Sequence, residues 1–281
     1  MTTIDGSDTT IGHLVATANI EVIPLRGAEE KTAAIPTSTT VTITCSPKFG
    51  LDRTLDHVVR ARESGHRVVP HLAARMVEDE AQLKRFLATL SSAGVDDLYV
   101  IGGDGEEPVG KYSEAFDILE AIQGLDHNLQ RIGVGCYPEA SEHPRRGAAG
   151  RAAAQAALRR LHGQPVVLRR RRLHRLAAHH ARGRYHPAVR IGIAAPLQTR
   201  KLIELSLKIG VGSSVKFLTK QHGFVGNLLL GRSYTPETLI TEIVAESDFE
   251  QLGVEGLHMF SFNQVDATVE WQSRMSAAIA K

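Results

Sequence analysis

The chain has 281 residues, 42% of them hydrophobic and 5% aromatic, with a formal net charge of +2. That length exceeds one small domain and suits a single (β/α)8 barrel of about 250 residues, with enough apolar side chains for a sizeable core. No apolar run approaches the roughly 20 residues that cross a bilayer, and Met1 to Thr10 is polar and acidic, which argues against a membrane protein or a secretory signal and makes the cytoplasm the default location.

In chain order, Ile20 to Leu25, Thr40 to Thr44, Arg67 to His71, Asp97 to Ile101 and Arg131 to Cys136 are short and rich in valine and isoleucine. Runs apolar on nearly every residue predict strands buried on both faces. Between them, Asp52 to Ser64, Glu78 to Ala93 and Ser113 to Ile122 carry aliphatic residues at helical spacing. Asp79 and Glu80 suit a helix's first turn, and Gly65 and Gly94 suit C-caps. Repeated strand and helix units predict a parallel sheet and an α/β fold, a single (β/α)8 barrel domain over residues 1–281. Cys45 and Cys136 each close a predicted strand, where reduced, partly buried thiols fit better than a disulfide. Further on, Val189 to Ala194 and Gly256 to Phe260 read as strands, and Gln198 to Ile209, Ser213 to Lys220, Pro236 to Ala245 and Val265 to Ile279 as helices.

Arg145 to Pro187 breaks the pattern. Twelve arginines fall between Arg145 and Arg184, and no acidic residue lies between Glu142 and Glu204. Taking those twelve from the 33 basic residues leaves 21 against 31 acidic ones, so the rest of the protein is acidic. Gln164 to Leu168 can form a strand, but the sixth strand and its helix are otherwise missing from an Arg, Ala and His-rich stretch. Three readings stand: a phosphate or nucleic-acid patch, a solvated insertion, or a segment translated out of register. The first would make the protein an arginine-rich nucleic-acid binder, and it rests on this stretch alone.

Glu21 sits in an apolar strand beside Ile20, Val22 and Ile23. A carboxyl there either pairs with a cation in the core or has its pKa raised by burial, which is how a general acid is made. Asp104 follows an apolar strand and the pair Gly102 and Gly103, whose lack of side chains lets a ligand approach the backbone. It either accepts hydrogen bonds from a ligand at the strand mouth or caps the next helix. Thr44 and His71 end the second and third strands, as strand-end ligand contacts or as ordinary core residues. Neither histidines nor cysteines show metal-ligand spacing; His174, His179 and His180 cluster only inside the irregular stretch.

Taken in order, Asn19 to Pro24, Val41 to Ser46, Val68 to Leu72, Leu98 to Asp104 and Gly133 to Glu139 resemble the core motifs of the methylenetetrahydrofolate reductase family, with the short, divergent actinobacterial type the closest fit. The resemblance covers about Glu21 to Tyr137 and Val189 to Trp271. It implies a (β/α)8 barrel performing NAD(P)H-dependent reduction of 5,10-methylenetetrahydrofolate to 5-methyltetrahydrofolate in one-carbon metabolism. It further implies Glu21 as proton donor and Asp104 as pterin holder, both catalytic. Thr44, His71, Gly102, Gly103 and Tyr137 would line the cofactor, while Glu139, Phe260, Asn263 and Gln264 would face the substrate.

NADH or NADPH would be the reductant. FAD is typical of the family, yet Gly102 stands where the family carries a flavin-holding arginine, so flavin-dependent and direct hydride transfer both stay open. The aromatic pair after the family's glutamate is Val22-Ile23 here, and the arginine after Asn263 is Gln264. The expected partner is a small-molecule substrate, with neither nucleic acid nor membrane; oligomeric state is not fixed by the sequence. The alternative is a non-redox barrel that binds a folate or another pterin with Glu21 in a structural role.

Overall fold

Short apolar strands followed by amphipathic helices lead the chain through α1 (Gly6–Ala16), β1 (Asn19–Val22), α2 (Ala28–Ala33), β2 (Val41–Ile43), α3 (Gly50–Glu63), β3 (Val68–Ala73), α4 (Glu80–Ser92), β4 (Asp97–Ile101), α5 (Ala115–Gln123) and β5 (Arg131–Val134). Beyond these lie β6 (Pro165–Val166), β7 (Val189–Ala194), β8 (Leu197–Gln198), β9 (Ser233–Tyr234), α6 (Glu237–Val244), β10 (Val254–Phe260) and α7 (Val265–Ile279). The computed structural model describes residues 6–103, 107–135, 165–166, 189–198, 233–245, 249 and 253–279.

The main sheet has the order β5-β4-β3-β2-β1-β10-β7-β6. Every pairing in it is parallel. β6 is a two-residue piece, so seven strands form its body. β5 and β6 are its ends, and among the described residues no pairing joins them. The described residues thus show a parallel α/β sheet rather than the complete ring of eight units expected from the sequence. Of the irregular stretch, Pro165–Val166 pairs with Arg190 and Ile191; the rest of 145–187 lies outside the described residues. So do the expected helices over 198–209 and 213–220, except for Gln198, which pairs with Ser233 in a small antiparallel ladder.

Helix ends follow the sequence signals. Asp79 accepts a hydrogen bond from the Gln82 backbone N–H at 2.7 Å, capping α4. Gly65 and Gly94 adopt φ of 90° and 66° just past α3 and α4, the left-handed turn that glycine takes without a Cβ penalty. The N-terminal segment carries an element that the pattern does not predict, because α1 begins at Gly6 within the polar run Met1 to Thr10. Its Ile11, Leu14 and Val15, followed by Ala18, repeat at helical spacing and are buried against β10 and α7 residues such as Leu257 and Trp271. Among the described residues, no helix is long and apolar enough to cross a membrane.

Register decides which side chains share a face. Asn19 lies opposite His258, and Glu21 opposite Phe260. Glu21 also lies opposite Thr42, Thr42 opposite Val69, and His71 opposite Tyr99. Because successive side chains alternate, Glu21, Thr42, His71, Tyr99, His258 and Phe260 occupy one face of the sheet. The other face carries Ile20, Val22, Val41, Ile43, Leu72 and Val100, buried with Leu51, Val58, Leu83 and Leu87 from α3 and α4. A second apolar cluster joins β7 and β10 to α1, α6 and α7 around Trp271, which is 1% exposed. The sequence pattern shows both faces as apolar runs; only pairing reveals that the polar exceptions converge on one of them.

Candidate functional site

Glu21 and His258 lie toward the C-terminal ends of the neighbouring strands β1 and β10, where this class of sheet presents ligands, and His71 and Tyr99 lie on β3 and β4 of the same face. His258 Nε2 lies 3.0 Å from Glu21 Oε2. His71 Nδ1 lies 3.9 Å from the same oxygen and 3.1 Å from Thr44 Oγ1. The His71 ring sits 4.9 Å from Tyr99 and 5.7 Å from His258, and Phe260 meets His258 edge-on at 5.0 Å. His71 and His258 are 4% and 3% exposed. The Glu21 side chain keeps 12% of its surface exposed.

Burial is the largest influence on Glu21 and pushes its pKa up. The His258 hydrogen bond, with the electrostatic pull of His258 and His71, outweighs it, and the carboxyl lies below the usual glutamate range. Of the two states open to a carboxyl in an apolar strand, pairing with His258 favours the ionised one over the neutral acid. Burial also dominates His71 and, with Glu21 opposing and His258 assisting, lowers its pKa to about 4. At neutral pH it is an uncharged imidazole, and its Nε2 is buried with no hydrogen-bond partner among the described residues.

The loop after β10 fastens this site. Ile23 donates its backbone N–H to Asn263 Oδ1 at 2.8 Å, and Asn263 Nδ2 donates to the Ile23 carbonyl at 2.9 Å. Ser261 Oγ donates to the Glu21 carbonyl. Phe262 and Asn263 have φ of 48° and 58°. Asparagine tolerates that region, but a bulky side chain there stores strain of the kind that gathers at functional sites.

Of the residues expected at a site, Glu21, Thr44, His71 and Phe260 come together. Asn263 spends both ends of its amide on Ile23. Gln264 opens α7, its carbonyl accepting from Thr268. Gly102 accepts from the Arg75 N–H. Gly103 takes φ 97°, where a Cβ would come within 3.0 Å of the Ala73 Cβ. Asp104, Tyr137 and Glu139 lie outside the described residues. Sequence reading missed His258 as a partner of Glu21, and Tyr99 beside His71. The available signal was a lone histidine in an apolar strand, but no spacing rule links it to a glutamate 237 positions away.

The opposite end of the sheet is built differently. Asp97, 5% exposed, accepts from Arg67 at 2.8 Å and Arg131 at 2.7 Å. A cavity of about 530 Å³ there is lined by Arg62, Arg67, Ser91, Asp96 and Arg131, among others. Its three arginines are committed: Arg67 and Arg131 to Asp97, Arg62 to the backbone carbonyls of Ala93 and His66. This end is an electrostatic clasp for the strands.

Fold and site together define a parallel α/β protein with a carboxylate and two histidines at its strand ends. No family model matches the chain. Similar solved structures include a proposed phosphonomutase from Burkholderia cenocepacia J2315, at 12% identity and a TM-score of 0.47, covering 95% of this chain and 96% of that one. Another is Yersinia pestis DHPS with a pterine-sulfa conjugate, at 12% identity, a TM-score of 0.42 and the same coverages. Neither likeness carries an activity across to this chain.

The methylenetetrahydrofolate reductase resemblance does not stand, because no family model supports it and the similar structures are a phosphonomutase-type protein and DHPS. The NAD(P)H-dependent reduction of methylenetetrahydrofolate, the oxidoreductase class and the assignment to NADH fall with it. The physical reason lies in the motifs. Apolar strands ending in a polar or glycine break are what any parallel α/β sheet presents, and the departures at Val22-Ile23, Gly102 and Gln264 fall where a family signature would have been sharpest.

Proposed function

We propose that this chain is a non-redox barrel protein that binds a small planar heterocycle of the pterin or folate class at the C-terminal end of its parallel sheet. The observation that carries this is the Glu21 carboxyl, held by His258 at 3.0 Å in a mostly buried site among aromatic rings. Oε2 is engaged by His258, which leaves Oε1 for a ligand. A pterin's ring amide and amino group present adjacent N–H donors that suit a carboxylate acceptor. Tyr99 and Phe260 supply apolar ring surface beside it. The same reading closes the sheet into one (β/α)8 domain and places the protein in the cytoplasm with a small-molecule partner.

Fluorescence titration with pterin, folate and tetrahydrofolate tests it. A hydrogen bond to a charged group is worth about 1.5–3 kcal/mol, so Glu21→Gln should weaken binding by roughly 10 to 150-fold. Folded wild-type protein that binds none of the three, or a Glu21→Gln variant with unchanged affinity, overturns the reading.

A further inference from the structure

Glu21, His71 and His258 have a second chemistry available to them. One oxygen or nitrogen from each lies within 4.8 Å of the other two. Three ligands of two types that favour the same ions, two imidazoles and a carboxylate, thus converge at one point in a site that is almost closed to water. Metal–ligand bonds of about 2.0–2.2 Å place neighbouring donors roughly 3.3 to 3.6 Å apart around a tetrahedral ion. The His258 to Glu21 separation of 3.0 Å falls a few tenths of an ångström short of that and His71 at 3.9 Å a few tenths beyond it, so small side-chain rotations reach it.

The surroundings also suit an ion. Thr44 Oγ1 lies 3.1 Å from His71 Nδ1, the nitrogen nearest Glu21, and would give up that contact to the ion. Tyr99 and Phe260 pack around the imidazoles and limit solvent. A plain Glu–His hydrogen bond accounts for His258 but not for a second buried histidine directed at the same oxygen.

We propose that Glu21, His71 and His258 form a binding site for one divalent transition ion of the zinc class, with the ion's remaining positions open to water or ligand. Two nitrogens and one oxygen match catalytic zinc sites and, in the same donor count, non-haem iron sites; calcium and magnesium prefer all-oxygen shells. The ion would draw on Oε2, leaving Oε1 free, so this inference does not depend on the heterocycle reading.

The test uses the full chain stripped of metal by chelator and titrated calorimetrically with Zn2+ alone, with no pterin present. The expected result is one ion per chain. Binding should weaken at least about 100-fold in His258→Ala and in Glu21→Gln, and persist when His174, His179 and His180 are all replaced by alanine. X-ray absorption at the zinc edge of the wild-type complex should show two imidazole ligands and oxygen, a readout that survives if either site variant fails to fold. Absence of stoichiometric binding, loss of binding only in the triple histidine variant, or an absorption spectrum without two imidazoles overturns the site. Pterin titration of the chelator-treated protein reads the heterocycle proposal separately.

Discussion

Asn263→Ala separates a structural role from a ligand-binding one. The side chain makes two hydrogen bonds to Ile23, at 2.8 and 2.9 Å, joining the loop after β10 to the end of β1. Each is worth about 0.5–1.5 kcal/mol net, so their loss costs roughly 1–3 kcal/mol. The backbone at 263 has φ 58°, a region that costs an ordinary L-residue about 1–2 kcal/mol more. Together the substitution should destabilise the protein by roughly 2–5 kcal/mol. Asn263→Gly loses the same bonds without the conformational penalty, and should fall short of the alanine variant by roughly 1 kcal/mol. Urea unfolding followed by circular dichroism measures both. Should Asn263→Ala unfold within about 0.5 kcal/mol of wild type while losing ligand affinity, the amide would be a ligand contact and the clamp would be wrong.

Two further outcomes follow from the core. His57 is 1% exposed and its Nε2 lies 2.8 Å from Thr32 Oγ1. Burial lowers its pKa against the pull of Glu29, with Arg53 and Arg60 adding to the lowering. The unfolded chain therefore takes up a proton more readily, and this group's contribution to stability is present above about pH 6.5 and lost as pH falls below it, by at most about 1.4 kcal/mol per pH unit. Thermal melts from pH 7.5 to 5.5 should show a steeper decline in wild type than in His57→Gln; equal slopes would remove His57 from the acid response. Trp271→Ala should cost about 3–5 kcal/mol by opening a cavity in the second apolar cluster. Trp271→Phe should cost far less, since the indole N–H it removes is buried without a hydrogen-bond partner among the described residues, and denaturant midpoints for the two variants check the ordering.

The parallel sheet was legible because its strands are continuous apolar runs and its helices carry apolar stripes; β4 and β7, and the closing helix α7, fall where the pattern puts them. Less legible were α1, whose apolar stripe begins inside a polar segment, and the β8–β9 ladder, whose two-residue strands carry no periodicity. Glu21 and His71 could be picked out as polar residues in apolar strands. Their meeting with His258 could not, because it depends on β1 pairing with β10 across most of the chain, and single-sequence periodicity holds no information about which strands become neighbours. The charge state of Glu21 was likewise hidden: burial argues for a neutral acid, and only the neighbouring histidines reverse the sign.

That same pairing sets a schedule for the newborn chain. β1 lies at the centre of the sheet order, yet its partner β10 is made among the last elements, and Glu21 must wait for a histidine 237 residues downstream. At synthesis rates of about 5–20 residues per second, the delay is on the order of tens of seconds. Through that interval β1 can pair with β2 but shows a bare edge on its other side, where strand-by-strand aggregation begins. The carboxylate and its two histidines therefore come together only when β10 arrives, and a ribosome that stalls before residue 254 leaves Glu21 without His258 and β1 without one of its two neighbours.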